Sequence, residues 1–583
     1  MNSLFDNWTS TLKRNSLVLV LGILLVTLGI NTSIIAAERI YVTLSASKTS
    51  ISVTALEKYA EDGVINHELA FYQQYLPAKQ FQKLQGILLT PVKVSPVLLS
   101  QFLYTPQGEF ILHRLAQVIQ PQTQQPQGIS TLRSALISAA GEPGGLTLLN
   151  LLRKYPYSDI HINLRRSFSL ARELENIINE TESAIAAVTK QSHLEAANIP
   201  QPLNFLELAD LGHPGKFQLQ KHTLKFFDST RHRLLLTDVY IPHVQTPAPV
   251  IVISHGLGTD SSNFEYLATH LASHGLAVVV PNHPGSTSLH HQSSTVIEPG
   301  EFQDQPLDVK YVLNQLEQIN HSDSRFQSRL NLQQVGVFGQ SLGGYTALAL
   351  AGAEINFPQL AQDCTPEALN KSWNMSLLFQ CSALALQQDS RKKYNLQDER
   401  VKAAIAVNPI TSSIFGEAGF SQIKTPVMIV SSSADSVAPA LYEQIQPFSW
   451  LQNSPKYLVM LLGGTHFSTI GDGNPTSQQV SLPTDVTGDA SQARDYINLL
   501  SLPFFQTYVA AKSEYLPYLN AAYTNSISRE SLGLKLVQTF SQTQLTQAIG
   551  DDTLTPISTN PITDFGFWIL DISLAMLRET ISS

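Results

Sequence analysis

Cysteine is almost missing from this chain: Cys364 and Cys381 are the only two in 583 residues. Such scarcity fits an export route, where stray thiols are a liability. Charge is also thin, with Asp, Glu, Lys and Arg together at 14% against roughly 25% in ordinary soluble domains. Gln, Ser, Thr and Asn take up the difference and leave a polar, weakly charged surface. A net charge of -9 argues against a nucleic-acid partner, because phosphate backbones are held by clustered Lys and Arg. There is no apolar run of membrane-spanning length near the start: Leu17 to Ile30 is 14 residues. As a helix it reaches only about 21 Å, short of a hydrocarbon core of roughly 30 Å. An internal repeat is likewise lacking.

What the N-terminus does have is Lys13 and Arg14, that apolar run, and small residues at Ala36-Ala37 before Glu38. This is the make-up of a secretory signal over residues 1–37, which predicts an exported protein; the alternative is an uncleaved N-terminal anchor. Export in turn favours a Cys364–Cys381 disulfide, closing a loop of about 17 residues and contributing roughly 3 kcal/mol. The alternative is two separate buried thiols. Residues 38–200 read as an all-helical domain with little strand signal beyond a short opening segment. Thr54 and Glu57 have capping-box spacing ahead of a helix ending near Gly63, and Ser95-Pro96 and Thr105-Pro106 each place a capping residue before a helix-starting proline. Gln120 to Gly128 reads as a loop, Leu164 to Lys190 as a long helix, and Pro200 and Pro202 as a linker.

From about residue 216 the period changes. His222 to Phe227 and Arg233 to Ile241 form an antiparallel hairpin, followed by buried-type strands at Val250 to Ser254, Ala277 to Pro281, Val335 to Phe338, Ala403 to Val407, Val427 to Ser431 and Tyr457 to Leu462. Helical segments separate most of them, so the fold class is α/β, a doubly wound, mostly parallel sheet over 216–510. An insertion at 355–396 and a C-terminal helical extension at 511–583 complete the plan; the extension has helical stretches at Arg529 to Ile549 and Phe565 to Leu577.

Strand, glycine-flanked turn and helix meet at Gly339-Gln340-Ser341-Leu342-Gly343, the nucleophile elbow of an α/β-hydrolase. Serine is a weak nucleophile, so Ser341 needs a base held by a carboxylate. In this fold both partners follow the serine in the chain. His466 is the only downstream histidine, just past a strand end, and Asp435 follows the strand before it. Glu417 and Glu443 are rival acids but stand off strand ends. Backbone N–H groups of Leu342, directly after the nucleophile, and of Leu257, in the loop His255-Gly256-Leu257-Gly258, are the expected oxyanion donors. The elbow lacks a P-loop lysine and the spacing of a dinucleotide site. His283, His290 and His291 read as loop histidines, with no carboxylate or Cys at metal-ligand spacing. No metal and no cofactor is expected.

Ser254-His255-Gly256-Leu257-Gly258, then Leu271-Ala272-Ser273-His274-Gly275, then the elbow resemble the platelet-activating-factor acetylhydrolase family of α/β-hydrolases over about residues 216–510. Gln340 stands where that family commonly has His. The whole chain also looks like a group of exported cyanobacterial two-domain hydrolases. The resemblance implies a calcium-independent Ser-His-Asp esterase or lipase acting on glycerophospholipids with short or oxidised acyl chains. Its partners are then a small-molecule or lipid ester, with peripheral contact at a membrane surface. Two other functions fit parts of the sequence: a serine peptidase of the same fold, and a non-catalytic lipid or pigment binder working through the helical domain. The apolar stretch Trp373 to Leu386 is either a lid or acyl-chain wall, or an extra helix with no substrate contact.

Overall fold

The computed structural model describes residues 37–550 except 45–46, 74–83, 87, 93, 121–127, 200–207, 288–297, 389–394, 453–454 and 474–488. Residues 1–36 of the expected signal, most of the Gln120 to Gly128 loop, the Pro200 and Pro202 linker, His290, His291 and the helix Phe565 to Leu577 all lie outside the described residues. Two compact units emerge, one from residues up to Ser100 with Leu112–Phe168, the other from Gln101–Ile111 with Ser169 onward. The break falls inside the helix Leu164–Ala197 rather than near residue 200, because Ala184 and Val188 on that helix are buried in the core of the second unit.

The first unit corrects the all-helical expectation. It holds a four-stranded sheet, β1 (Arg39–Leu44), β2 (Ser47–Ser52), β3 (Ile119–Gln120) and β4 (Asp159–Asn163), in the order β2-β1-β4-β3. These strands are short, and only one residue of β4, Ile160, is fully buried. Their polar alternation carries little of the apolar signal that marks a strand. The helix Val53–Asp62 begins one residue after β2 ends, so its cap is Ser52, whose side chain accepts from Ala55 N–H at 3.2 Å, and not Thr54. It stops at Gly63, whose φ of 71° suits the left-handed cap. Pro96 and Pro106 each open a helix, Pro96–Leu103 and Pro106–Ala116.

In the second unit the continuous apolar runs become strands covered on both faces. They are β5 (Leu219–Asp228), β6 (Arg233–Pro242), β7 (Ala248–Ser254), β8 (Ala277–Pro281), β9 (Leu330–Gln340), β10 (Val401–Val407), β11 (Val427–Ser432), β12 (Lys456–Leu462) and β13 (Gly533–Val537). The order is β13-β12-β11-β10-β9-β7-β8-β6-β5, parallel from β8 to β12 and antiparallel at both edges. Alternation along β7 explains the double layer: Val250 and Val252 join the core that includes Val309 and Leu348, while Ile251 and Ile253 join the opposite core with Leu271 and Phe505. Each such side chain, fully buried, contributes about 1.5–3 kcal/mol.

β13 corrects a second expectation. The stretch Arg529 to Ile549, read as helix, is strand Gly533–Val537 followed by helix Gln542–Gly550. Leu534 and Leu536 point into the core at period two, while Lys535 between them is less buried. The extension thus completes the sheet of the second unit, pairing antiparallel with β12. The connection from β8 to β9 crosses over β7, so the winding direction reverses between β7 and β9. A crevice opens at the carboxyl ends of strands at such a reversal.

Candidate active site

Gln340 ends β9 and Leu342 begins the helix Leu342–Leu350, leaving Ser341 alone in the turn with φ 56° and ψ -117°. A non-glycine residue rarely holds this conformation, and surrounding packing has to enforce it. Here strand and helix are pressed together: a Cβ on Gly339 would sit 1.8 Å from the Gly343 carbonyl oxygen, and one on Gly343 would sit 2.0 Å from Ser254 O. The flanking glycines are therefore required by close approach.

β11 and β12 deliver the other two side chains from neighbouring strand ends. His466 Nε2 lies 3.0 Å from Ser341 Oγ, and His466 Nδ1 lies 2.7 Å from Asp435 Oδ2. The second carboxylate oxygen of Asp435 accepts from Val437 N–H at 2.9 Å and Ala438 N–H at 2.7 Å. All three residues are buried, Ser341 being the most exposed at 9%. Asp435 Oδ2 faces Nδ1, so the ring proton resides there and Nε2 is left to accept from the Ser341 hydroxyl. Glu417 is exposed on the helix Ser412–Phe420, and Glu443 is buried in a separate cluster. Neither has a hydrogen bond to His466 among the described residues.

Sequence reasoning passed over the groups that hold the histidine loop. Gln340 Nε2 donates to His466 O at 3.1 Å, and Asn408 Nδ2 donates to the same carbonyl at 3.3 Å. Asn408 also takes Ser432 N–H at 2.9 Å, tying the ends of β10 and β11 together. A polar residue directly after a buried strand was the one available signal for Asn408, whose φ is 44°.

Leu342 is the first residue of its helix, and its N–H has no acceptor within that helix. The Leu257 loop abuts the elbow so tightly that a Cβ on Gly256 would lie 3.2 Å from Ser341 Cβ. Among the described residues no acceptor takes the Leu257 N–H. Burial, with His283 beside it adding to the effect, pushes the His255 pKa down to about 3. His255 is therefore neutral at neutral pH.

Cys364 and Cys381 form a disulfide, with Cα atoms 5.6 Å apart. It joins the helix Met375–Ser382 of the insertion to the end of the helix Phe357–Asp363. Phe379 from the first of these packs with Val437, Phe467 and Ile470. Val437 and Phe467 immediately follow the Asp435 loop and His466, so the insertion touches the rim of the site. Among the described residues no helix is long and apolar enough to cross a membrane.

Comparison with known proteins matches two family models. Residues 36–163 match one described as alpha/beta hydrolase of unknown function (DUF1400), and residues 249–379 match the alpha/beta hydrolase fold. The second unit therefore has the α/β-hydrolase fold. Among curated relatives, a cutinase of Thermobifida fusca (strain YX) is 24% identical over 213 residues, 36% of this chain and 64% of that protein. Cutinase 1 of Thermobifida cellulosilytica is 26% identical over 136 residues, 23% of this chain and 46% of that one. The chain thus spans less than two thirds of either relative.

Proposed function

We propose that this protein is a serine hydrolase of carboxylic esters in which Ser341, His466 and Asp435 act as nucleophile, base and orienting acid. One observation carries the proposal: the continuous hydrogen-bond chain from Ser341 Oγ to His466 Nε2 at 3.0 Å and from His466 Nδ1 to Asp435 Oδ2 at 2.7 Å. His466 Nε2 removes the hydroxyl proton as Ser341 Oγ bonds to the ester carbonyl carbon. The Leu257 and Leu342 N–H groups receive the resulting oxyanion. Collapse of that intermediate breaks the bond to the alcohol, which leaves with the proton from His466, and an acyl-enzyme remains. Water then attacks by the same route, giving its proton to His466, and the acid departs as Ser341 regains its proton.

The cutinase likeness supports ester chemistry in general. The finer reading rests on the resemblance to platelet-activating-factor acetylhydrolases: a calcium-independent esterase on glycerophospholipids with short or oxidised acyl chains. Export is part of the same proposal, supported by the basic and apolar N-terminus and by the Cys364–Cys381 disulfide. So is the assignment of the hydrolase work to the second unit.

A fluorophosphonate probe tests the nucleophile. The full chain should label and Ser341→Ala should not; labelling that survives the substitution overturns the assignment. p-Nitrophenyl esters from acetyl to palmitoyl then test the substrate class. We expect turnover to peak at short acyl groups and to withstand a calcium chelator. A palmitoyl optimum would replace the acetylhydrolase reading with a lipase, and cleavage of peptide anilides without esters would overturn ester hydrolysis.

A further inference from the structure

A second Ser-His-Asp chain lies in this molecule. Ser254 Oγ is 3.0 Å from His283 Nε2, and His283 Nδ1 is 3.0 Å from Asp308 Oδ2. The order of atoms repeats that of Ser341, His466 and Asp435. All three residues are wholly buried, at 0% exposure, so no substrate reaches Ser254. Its use must be sought in what it touches.

Asp308 stays a carboxylate in this setting. Burial alone works to raise its pKa, but the His283 hydrogen bond and Arg233 hold it below the ordinary value. Arg233 Nε and a terminal nitrogen sit 2.9 and 2.7 Å from its two oxygens, and Arg231 adds a contact at 2.8 Å. Facing that carboxylate, His283 carries its proton on Nδ1, and Ser254 Oγ–H donates to Nε2. The ring is thus clamped at both ends, and its backbone is clamped with it.

That backbone reaches the loop that carries Leu257. His283 N–H donates to His255 Nε2 at 3.0 Å. His255 must then hold its proton on Nδ1, which lies 2.8 Å from Gly256 O and donates to it. Thr259 Oγ1–H donates to the same carbonyl at 3.0 Å. Across a planar trans peptide, the carbonyl of one residue and the N–H of the next point in opposite directions. Two donors drawing on Gly256 O therefore turn the Leu257 N–H away from them, where no acceptor among the described residues claims it. The neighbouring turn is secured from the same buried charges: Gly258 N–H donates to Ser286 O at 2.8 Å, Ser286 Oγ donates to Glu301 at 2.8 Å, and Glu301 pairs with Arg233 at 2.7 Å.

We propose that His283, held by Ser254 and Asp308, is a positioning residue that aims the Leu257 N–H at the oxyanion through His255. The proposal rests on the ester-hydrolase reading above. Removing an oxyanion donor outright costs about 100- to 1,000-fold in kcat, and a mis-aimed donor should cost less. We expect Ser254→Ala to lower kcat on p-nitrophenyl acetate about 10-fold and His283→Phe about 100-fold, each with KM within twofold.

The decisive readout compares that ester with its thiono analogue, whose sulfur accepts hydrogen bonds poorly. Loss of aim should depress the oxoester rate and spare the thionoester rate, so the ratio of the two falls in both variants. A merely structural defect lowers both rates alike, and an unchanged ratio overturns the positioning role. Circular dichroism melts establish that each variant is folded at the assay temperature. Should His283→Phe unfold, Ser254→Ala, which deletes one hydroxyl, decides by the same ratio. Wild-type fluorophosphonate labelling at Ser341 is measured first. Its absence overturns the hydrolase reading itself, whereas retained labelling with an unchanged ratio overturns only the role of His283.

Discussion

Asp435 is committed on both oxygens, one to His466 Nδ1 and the other to two backbone N–H groups. An amide at this position cannot accept on both sides. Asp435→Asn must either present its NH2 to His466, forcing the wrong tautomer, or turn it against Val437 and Ala438. We expect kcat to fall about 10,000-fold with the fold intact, measured on a short p-nitrophenyl ester. A loss under tenfold would remove Asp435 from the proposed mechanism. His255 makes a different prediction, about pH. Its pKa is about 3 in the folded protein, against an ordinary 6.5, chiefly from burial. The unfolded chain therefore binds a proton that the folded one refuses, and stability is complete above pH 6.5 and drains away as pH falls toward 3. By pH 5 the loss from this residue is about 2 kcal/mol. Urea unfolding at pH 7 and 5 should show His255→Phe less acid-sensitive than wild type by that amount, and equal sensitivity would refute it. Ser341, Asp435 and His466 were each legible locally, as a turn, a strand end and the sole later histidine. Gln340 and Asn408 were not, because their partner is a carbonyl 126 and 58 residues away.

Among the secondary elements, the insertion is held by Glu443, which the sequence offered only as a misplaced rival acid. Fully buried, its carboxylate accepts from Asn374, Ser376 and Gln380 of the insertion at 2.5, 2.7 and 2.9 Å. It also accepts from the N–H groups of Thr411 and Ser412 at 2.7 and 2.9 Å, at the start of the helix Ser412–Phe420, where the helix dipole favours a negative charge. Glu443→Ala leaves these donors buried without an acceptor and should cost about 3 kcal/mol or more. A thermal melt would check this; an unshifted melt would refute the anchoring. The strands that escaped sequence reading share a cause. β2 to β4 are short and partly polar, and β13 lies at a sheet edge, so their signal is weak until a neighbour supplies the other half of the ladder. The parallel strands β7 to β12 were legible because helices cover both faces and every position has to be apolar.

For the molecule as a whole, the proposed site draws on the carboxyl ends of β7, β9, β11 and β12, all in the second unit. The first unit has its own buried residues, such as Leu132 and Ala139 on the helix Gly128–Ala140. Leu132→Ala should destabilise the first unit by about 2–5 kcal/mol. Amide hydrogen exchange should quicken over residues 128–140 and stay unchanged around the elbow, with ester kcat within twofold of wild type. Unchanged exchange over residues 128–140 would refute it.

The sequence by itself determined the elbow, the chain order of the proposed nucleophile, acid and base, and the α/β-hydrolase sheet. Those follow from steric rules acting over a few residues and from the need for apolar runs where both faces are buried. Only the tertiary structure decided that Gln340 and Asn408 hold the His466 loop, that Glu443 anchors the insertion, that β13 closes the sheet, and that Ser254, His283 and Asp308 stand behind the Leu257 loop. Each of these depends on polar atoms brought together from distant parts of the chain. A hydrogen bond leaves no mark on the local pattern of either partner.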